Sequence, residues 1–409
     1  MRKLIVRGAR PLFGEIRVGG SKNAALPILF ASIVTKGVSV IKNVPDIGDV
    51  RVAIEILREL GAVVKRRGST VRVDTTAMEY KKPNPERVGS IRASTYLIGA
   101  CLSRFGICHL QAFGGCNFAK RPIDLHLLAA QMLGACVEET TVCAKALSGA
   151  DITLPKVSVG ATANAVIMSS TARGITRIKG FAAEPHIMNL IDYLRSAGAS
   201  IEINDAVLTV KGGELGGGEV EIIGDMIEAG TYAAMAVATG GDLTVSGFNR
   251  SELNSALSVL SGCGATVREL DGALRVFGKI KDSADIVAEP YPAFPTDLQP
   301  IFAALFGLFA GCRIKDNVFP TRFGYLDSLS PFGIKHSVKF SCAHIYPKSV
   351  ITPATVGAPD LRGAAACLIA ALAANGESCI FNADILARGY ESLSEKIRSV
   401  GGEIDDIVK

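Results

Sequence analysis

Residues 57–63 read Leu57-Arg58-Glu59-Leu60-Gly61-Ala62-Val63, which is typical of a helix end, a Gly-Ala turn and the start of a strand. Glycine ends a helix well because it accepts the left-handed backbone conformation at little cost. Similar segments return five times along the chain. The six turn glycines are Gly61, Gly134, Gly198, Gly264, Gly333 and Gly401, at intervals of 64 to 73 residues. So regular an interval predicts six similar structural units.

A second series of segments runs in step with the first. Each is a run of small and apolar residues followed by a glycine and an alternating strand, such as Leu243-Thr244-Val245. We predict helices over residues 24–34, 94–102, 163–172, 232–239, 298–309 and 364–374. These helices are apolar nearly all round, so they should be buried, with the sheets outside them.

A chain of 409 residues is too long for one ordinary core, so two domains are expected. Six units divide naturally into three per domain. We therefore predict an α/β protein with two similar lobes, between which the chain crosses near Gly19-Gly20 and again near Ile223-Gly224. The first lobe would span residues 21–223, and the second would combine residues 1–20 with 224–409.

Composition excludes several classes of function. The net charge is only +5, basic residues are scattered and tryptophan is absent, so nucleic-acid binding is not indicated. The longest apolar run, residues 301–311, is far too short to span a membrane, and the N-terminal residues do not read as a signal peptide. Ten cysteines without CxxC pairs favour reduced thiols in the cytoplasm, and the five histidines lack metal-ligand spacing. We expect no metal or other cofactor, and the sequence leaves the oligomeric state open.

Polar residues stand where the predicted helices begin. Before or within the small-residue helices these are Lys22, Asn23, Arg92, Ser158, Glu228, Asp297 and Arg362; at the other helices they are Asp46, Arg121, Glu184, Arg250, Arg322 and Arg388. Helix N-termini carry unsatisfied N–H groups and partial positive charge, so such ends receive anions. If the lobes face one another through these ends, the cleft between them is the expected active site.

Each of these residues also has an ordinary structural interpretation. Ser158, Thr162 and Asp297 can be plain N-caps. Arg362 and Arg388 can be solvated or paired surface groups, and Glu228 a first-turn helix acid. His126 is expected to be a structural hydrogen-bonding group and not a catalyst.

Residues 111–126 form the most unusual stretch, Gln-Ala-Phe-Gly-Gly-Cys-Asn-Phe-Ala-Lys-Arg-Pro-Ile-Asp-Leu-His. Two glycines allow a tight turn before Cys116, and Pro122 stands where a helix can begin. Lys120, Arg121 and a helix N-terminus would all stabilise a Cys116 thiolate, and the same features would bind an anion. The alternative is a surface loop whose cysteine is merely a small buried apolar residue.

The motifs resemble those of the UDP-N-acetylglucosamine enolpyruvyl transferases from one end of the chain to the other. The matching segments are Ser21-Lys22-Asn23-Ala24-Ala25-Leu26-Pro27, Arg92-Ala93-Ser94, Gly114-Gly115-Cys116, Arg121-Pro122-Ile123-Asp124-Leu125-His126, Lys156-Val157-Ser158-Val159-Gly160, Phe294-Pro295-Thr296-Asp297, Asp360-Leu361-Arg362 and Arg388-Gly389-Tyr390-Glu391. The resemblance implies a two-domain inside-out α/β barrel built from six βαβαββ repeats. It also implies transfer of enolpyruvate from phosphoenolpyruvate to the sugar 3-hydroxyl, with release of phosphate, as the first committed step of peptidoglycan synthesis.

The resemblance also implies roles for individual residues. Phosphoenolpyruvate would be held by Lys22, Asn23, Arg121, Arg322, Arg362 and Arg388; the UDP-sugar would be held by Arg92, Arg121, Pro122, Ile123, Asp124, Leu125, Lys156, Val157, Ser158, Val159, Asp297 and Val318. Cys116 would protonate the phosphoenolpyruvate methylene carbon. Asp297 would take the hydroxyl proton or help to remove the proton at C3, with Lys22 and Arg388 also in the catalytic set.

Four positions depart from the family pattern: Met226 and Ala183 replace arginines, Pro320-Thr321 replaces Glu-Asn, and Lys120 takes a small-residue position. They keep open a nucleotide-sugar-binding paralogue with weak or no catalysis. A related enolpyruvylshikimate phosphate synthase is the nearest alternative enzyme, which the Gly-Gly-Cys loop and Lys22-Asn23 disfavour.

A substitution series at Cys116 tests its assignment as the acid. Cys116→Ser and Cys116→Ala should lose most activity, because neither side chain can deliver a proton near neutral pH, whereas Cys116→Asp should retain some. Phosphate release measures the activity. Fosfomycin should also inactivate the protein by alkylating Cys116, and a mass spectrum without an adduct at this residue would contradict the assignment.

Overall fold

The computed structural model describes residues 2–110, 113–114, 121–348 and 350–408. Its described residues form two compact units. The first unit lies between Gly20 and Ile223, and the second combines the residues up to Gly19 with those from Gly224 onward. Each unit is described below by itself.

The described residues contain twelve α-helices and six short 3₁₀ helices. The α-helices are α1 (Lys22–Ala31), α2 (Gly48–Glu59), α3 (Pro85–Ser90), α4 (Leu97–Phe105), α5 (Asp124–Met132), α6 (Val159–Ser169), α7 (Pro185–Ser196), α8 (Met226–Thr239), α9 (Asn254–Gly262), α10 (Gln299–Gly307), α11 (Leu361–Ala373) and α12 (Leu393–Ser399). The 3₁₀ helices are Ser32–Val34, Arg92–Tyr96, Arg250–Leu253, Thr296–Leu298, Gly324–Phe332 and Ala383–Arg388.

Twenty-three strands accompany these helices in the described part of the chain. They are β1 (Arg2–Arg7), β2 (Phe13–Arg17), β3 (Val38–Lys42), β4 (Val63–Arg67), β5 (Thr70–Asp74), β6 (Ile107–His109), β7 (Cys136–Val137), β8 (Thr141–Cys143), β9 (Asp151–Thr153), β10 (Ile175–Lys179), β11 (Ser200–Asn204), β12 (Val207–Lys211), β13 (Glu219–Glu221), β14 (Asp242–Ser246), β15 (Ala265–Leu270), β16 (Ala273–Gly278), β17 (Ala284–Ala288), β18 (Cys312–Asp316), β19 (Lys335–Lys339), β20 (Cys342–Tyr346), β21 (Thr355–Gly357), β22 (Glu377–Phe381) and β23 (Glu403–Val408).

The described residues of each unit form three sheets. The first unit has the strand orders β13-β3-β5-β4, β6-β8-β7 and β11-β12-β10-β9; the second has β15-β16-β14-β2, β17-β18-β20-β19 and β21-β22-β1-β23. Every four-stranded sheet has one parallel pair of strands at one edge and two antiparallel pairs beside it. For example, β9 runs parallel to β10, and β10 is antiparallel to β12. Consecutive parallel strands need a crossover helix, whereas antiparallel neighbours join through short turns, so the segment from β9 to β12 reads βαβαββ.

The small-residue helices form the core, as their composition predicts. Every residue of α10 and every residue of α11 up to Leu372 is buried, and α1, α4, α6 and α8 are buried along most of their length. The sheets therefore lie outside the helices, and the expected inside-out α/β fold is confirmed.

The six turn glycines all adopt positive φ, between 92° and 108°. A residue with a side chain would be strained at each of these positions. The left-handed backbone therefore explains why glycine recurs there in the sequence.

Several boundaries differ from the predicted ones. The core helices begin earlier than predicted, at Lys22, Val159, Met226 and Leu361. Their first turns include polar residues, which a prediction based on runs of apolar residues leaves out. The prediction that Pro122 opens a helix is wrong, since α5 starts at Asp124. Arg388 does not open a helix either; it ends a 3₁₀ helix, five residues before α12.

Candidate functional site

In the second unit, Asp297 joins the starts of two core helices. Arg362, in the first turn of α11, donates to Asp297 Oδ2 from Nε at 3.2 Å and from Nη2 at 3.0 Å. Arg322 donates from Nη1 to Asp297 Oδ1 at 2.8 Å. Both arginine side chains are only 2 % exposed, whereas the Asp297 side chain is 25 % exposed. Two buried cations thus share one partly accessible carboxylate, which holds the side chains of three separate segments together.

Arg362 is fixed on its other sides as well. The N-cap Asp360 accepts hydrogen bonds from the Arg362 and Gly363 N–H groups. The Tyr390 ring lies 5.3 Å from the guanidinium carbon of Arg362, within cation–π range. Burial by itself would lower the pKa of Arg362, but Tyr390 and the Asp297 carboxylate outweigh it, so the pKa is raised and the side chain stays charged.

The loop before Arg322 is held by a buried acid that sequence reasoning missed. Asp316 Oδ1 accepts from Val318 N at 2.9 Å and from Phe319 N at 2.7 Å, and Oδ2 accepts from Thr296 Oγ1 at 2.7 Å. Burial raises the pKa of Asp316, although these hydrogen bonds favour its ionised form. The same carboxylate therefore positions Val318 and the residue next to Asp297.

Glu228, in the first turn of α8, has a structural setting. It is buried and accepts from Lys396 Nζ at 2.6 Å, Tyr232 Oη at 3.1 Å and Gly19 N at 2.9 Å. Burial raises the pKa of Glu228, and the Lys396 ammonium opposes the shift. Its contacts agree with the interpretation as a helix acid.

In the first unit, Asn164 connects three helix starts. Its Oδ1 accepts from Gly99 N at 2.7 Å, and its Nδ2 donates to Thr95 O at 3.0 Å and contacts His126 Nδ1 at 2.6 Å. Asn164 lies in α6, Thr95 precedes α4, and His126 is in the first turn of α5. The buried amide therefore brings together the segments that begin at Arg92, Asp124 and Val159.

His126 is a structural group, as its setting at a helix start suggested. Because the Asn164 amide donates to Nδ1, the imidazole must be neutral there. Burial and the nearby Arg92 charge lower the pKa of His126 to about 4, despite the opposing effect of Asp124. The ring also fills the space at Gly160, where an added Cβ would lie 2.7 Å from His126 Cε1.

Arg92 holds the segment that leads into α5. Its Nη2 donates to the Arg121 carbonyl and, at 3.4 Å, to the Pro122 carbonyl. Burial and the positive charge of Arg121 lower the pKa of Arg92 to about 10. An anion bound near Arg92 would be favoured, because its charge would offset the effect of Arg121.

The remaining predicted residues lie at helix starts or outside the described residues. Lys22 and Asn23 are half-buried in the first turn of α1, and Ser158 caps α6 through a 3.4 Å hydrogen bond from Ala161 N. Lys156 is exposed, whereas Val157 and Val159 are half-buried; Ile123 and Leu125 are half-buried beside the exposed Pro122 and Asp124. Cys116 and Lys120 lie outside the described residues.

Two of the proposed N-cap interpretations are wrong. Thr162 lies inside α6, where its hydroxyl accepts from Ala182 N at 2.9 Å. Asp297 binds arginines, and the 3₁₀ helix that contains it has no side-chain cap. Arg362 is paired as the structural interpretation allowed, but it is buried and not at the surface.

The missed residues Asn164 and Asp316 did leave signals. Asn164 is a lone amide in an apolar helix. Asp316 accepts from the N–H groups two and three residues further along the chain, which is an Asx-turn arrangement.

In the described residues no group of three or more His, Cys, Asp or Glu is placed to hold a metal ion. No helix among these residues has the length and apolar character to cross a membrane.

The comparisons with known proteins agree on one family. The model of the EPSP synthase (3-phosphoshikimate 1-carboxyvinyltransferase) family matches residues 6–397. The chain is 38 % identical to the UDP-N-acetylglucosamine 1-carboxyvinyltransferase of Wolbachia pipientis subsp. Culex pipiens (strain wPip), covering 99 % of each chain. It is also 38 % identical, over 99 % of each chain, to UDP-N-acetylglucosamine 1-carboxyvinyltransferase 3 of Caldanaerobacter subterraneus subsp. tengcongensis.

Solved structures show the same fold. The enolpyruvyl transferase NikO from Streptomyces tendae is similar with a TM-score of 0.88 at 25 % identity, covering 100 % of this chain and 99 % of NikO. EPSP synthase from Acinetobacter baumannii shares the fold with a TM-score of 0.73 at 17 % identity, covering 100 % of both chains.

The His126 environment predicts a loss of stability in mild acid. The unfolded chain binds a proton at His126 near pH 6.5, but the folded chain binds it only near pH 4. Stability contributed by the neutral imidazole is therefore complete above pH 6.5 and falls as the pH drops toward 4, by about 3 kcal/mol. Urea unfolding at pH 7 and pH 4.5 measures the loss. His126→Gln should reduce this pH dependence, and an unchanged dependence in the variant would contradict the assignment.

Proposed function

Because this chain belongs to the EPSP synthase family of enolpyruvyl transferases, we propose that it transfers the enolpyruvyl group of phosphoenolpyruvate to the 3-hydroxyl of UDP-N-acetylglucosamine. Phosphate is the second product. The reaction would be the first committed step of peptidoglycan biosynthesis. The observation that carries the proposal is the similarity, along nearly the whole chain, to relatives that bear this activity in their names.

The positively charged helix starts suit these substrates. Phosphoenolpyruvate and a nucleotide diphosphate bring several negative charges, which guanidinium groups, ammonium groups and helix N–H groups can neutralise without a metal. We assign phosphoenolpyruvate to Lys22, Asn23, Arg121, Arg322, Arg362 and Arg388. We assign the UDP-sugar to Arg92, the segments 121–125 and 156–159, Asp297 and Val318.

The proposed reaction proceeds by addition and elimination. In the addition step Cys116 gives a proton to C3 of phosphoenolpyruvate while the sugar hydroxyl attacks C2, and Asp297 accepts the hydroxyl proton. In the elimination step a proton leaves C3 and phosphate departs from C2. Cations beside the phosphate stabilise the charge that develops as the C–O bond breaks.

Asp297 has a setting that supports its role as a base. Arg322 and Arg362 each bind one of its carboxylate oxygens, so the carboxylate is held in one orientation. A quarter of the side chain is nevertheless exposed, so a ligand can contact it. A proton acceptor needs this combination of fixed geometry and access.

Three of the four departures from the family pattern lie in the described residues. Met226 is half-buried at the first position of α8, Ala183 is exposed before Glu184, and Pro320 and Thr321 are exposed beside Arg322. Arg322 still reaches Asp297. A binding protein without catalysis is therefore the less favoured alternative.

We propose a cytoplasmic enzyme. The nine cysteines in the described part of the chain are free thiols, which suits a reducing compartment.

A substrate comparison tests the proposed function. Phosphate release from phosphoenolpyruvate should depend on UDP-N-acetylglucosamine and should not be supported by shikimate 3-phosphate. A coupled phosphate assay measures both. Release with shikimate 3-phosphate alone would identify the other enzyme of the family, and binding of the UDP-sugar without release would identify a binding protein.

Asp297→Asn tests the proposed base. The amide keeps the shape of the side chain but cannot accept the hydroxyl proton, so kcat should fall by about 10²–10⁴-fold. Asp271→Asn, in an exposed turn of the same unit, should leave kcat unchanged. Calorimetry with the UDP-sugar should show that the Asp297→Asn protein is folded and binds. An Asp297→Asn kcat within about twofold of the original would rule out this role.

A further inference from the structure

Two cysteines face each other across the hairpin that follows α5. Strands β7 and β8 are antiparallel, and their register places Cys136 directly opposite Cys143. Val137 and Val142 form the next pair, and Glu138 N donates to Thr141 O at 2.8 Å where the hairpin turns. Side chains that are directly opposite in an antiparallel pair point to the same face of the sheet.

The register of the two strands meets the Cα-distance requirement for a disulfide. Directly opposed residues in an antiparallel pair have Cα atoms about 4.5–5.5 Å apart. Disulfides have Cα atoms about 4.4–6.8 Å apart, so the opposed positions fall within this range and only a small local adjustment brings the two sulfurs together.

The two thiols are also accessible. Cys136 is exposed and Cys143 is half-buried, whereas Val142, on the opposite face of the sheet, is buried. Partial burial and the nearby Glu138 carboxylate raise the pKa of Cys143. A reagent therefore reaches Cys136 first, and Cys143 is placed to react second.

No other pair of cysteines is directly opposed in the strand ladders of the described residues. Cys342 lies opposite Lys315 and Lys339, Cys108 lies opposite Val142, and Cys379 pairs with Ile5 and Thr355. The arrangement of Cys136 and Cys143 is therefore particular to this hairpin.

We propose that Cys136 and Cys143 form a reversible disulfide, so that the hairpin is a dithiol site for low-molecular-weight disulfides. The Cys136 thiolate attacks one sulfur of the reagent and expels one thiolate. Cys143 then loses its proton to solvent, attacks the Cys136 sulfur and expels the second thiolate. The two cysteines lose two electrons and two protons, and the reagent is reduced to two thiols.

The hairpin contacts the described residues that directly precede residue 111. Leu110 N donates to Thr140 O, in the hairpin turn, at 2.7 Å, and β6 pairs with β8. Leu110 directly precedes residues 111–120. The disulfide would therefore tie β7 to β8, the strand that pairs with β6.

Equilibration of the full chain with mixtures of reduced and oxidised glutathione tests the proposal. Trypsin does not cleave before Pro122, so Cys136 and Cys143 fall in one peptide, residues 121–145, that contains no other cysteine. After acid quenching and alkylation, the disulfide form of this peptide is two hydrogens lighter than the reduced form and carries no alkyl group. We expect the folded chain to reach half oxidation at an oxidised-to-reduced ratio about tenfold lower than the urea-unfolded chain, because the sheet holds the two sulfurs together.

Matched variants complete the test. Cys136→Ser should abolish the lighter peptide, whereas Cys342→Ser, which removes a half-buried cysteine from another sheet, should leave it unchanged. A dithiol reductant should restore the two free thiols. The proposal is overturned if the folded and unfolded chains oxidise at the same ratio, or if the two cysteines carry separate glutathione adducts without bonding to each other.

Discussion

The structure depends on six core helices that must be apolar on every side. Because sheets and other helices surround them, an ionised side chain along their length would lose its hydration without compensation, at a cost of several kcal/mol. Charged residues can therefore stand only at the helix ends. At the N-terminal ends, free N–H groups add partial positive charge, so the constraint that builds the core also produces the anion-binding positions.

The two units organise these ends in different ways. In the second unit an ionised group does so: Asp297 binds two buried arginines and thereby joins α11 to the 3₁₀ helix before α10. In the first unit a neutral network organises the helix starts, since the Asn164 side chain hydrogen-bonds to Gly99, Thr95 and His126. The neutral network adds no charge of its own beside Arg92. The ionised cluster fixes a carboxylate, which suits proton transfer.

Members of one fold family can differ in substrate, because the fold provides the helix ends and the residues at those ends provide the chemistry. The similarity to NikO and to EPSP synthase therefore establishes the scaffold, and the motifs around Lys22, Arg121 and Asp297 carry the proposed specificity. The β7–β8 hairpin illustrates the same division. Its strands belong to the scaffold, but a pair of cysteines gives it a reactivity that the scaffold does not require.

Much of the fold follows from the sequence, because its signals are local. A glycine after a helix and an apolar run of helical length act within a few residues, and they repeat in every unit. The same signals indicate buried helices and external sheets. Helix starts were misplaced where the local pattern is ambiguous, as at Pro122 and Arg388.

The sequence by itself determined the six repeats, the left-handed turn glycines, the buried helices and the polar residues at the helix starts. Only the tertiary structure decided which of these residues meet. Asp297 and Arg362 are 65 residues apart, and Thr95 and Asn164 are 69 apart, so each pair joins neighbouring repeats at equivalent positions. Periodicity places such residues at the same end of the core, but their contacts depend on how neighbouring helices pack, because side chains from different repeats come within hydrogen-bonding distance only in the folded unit.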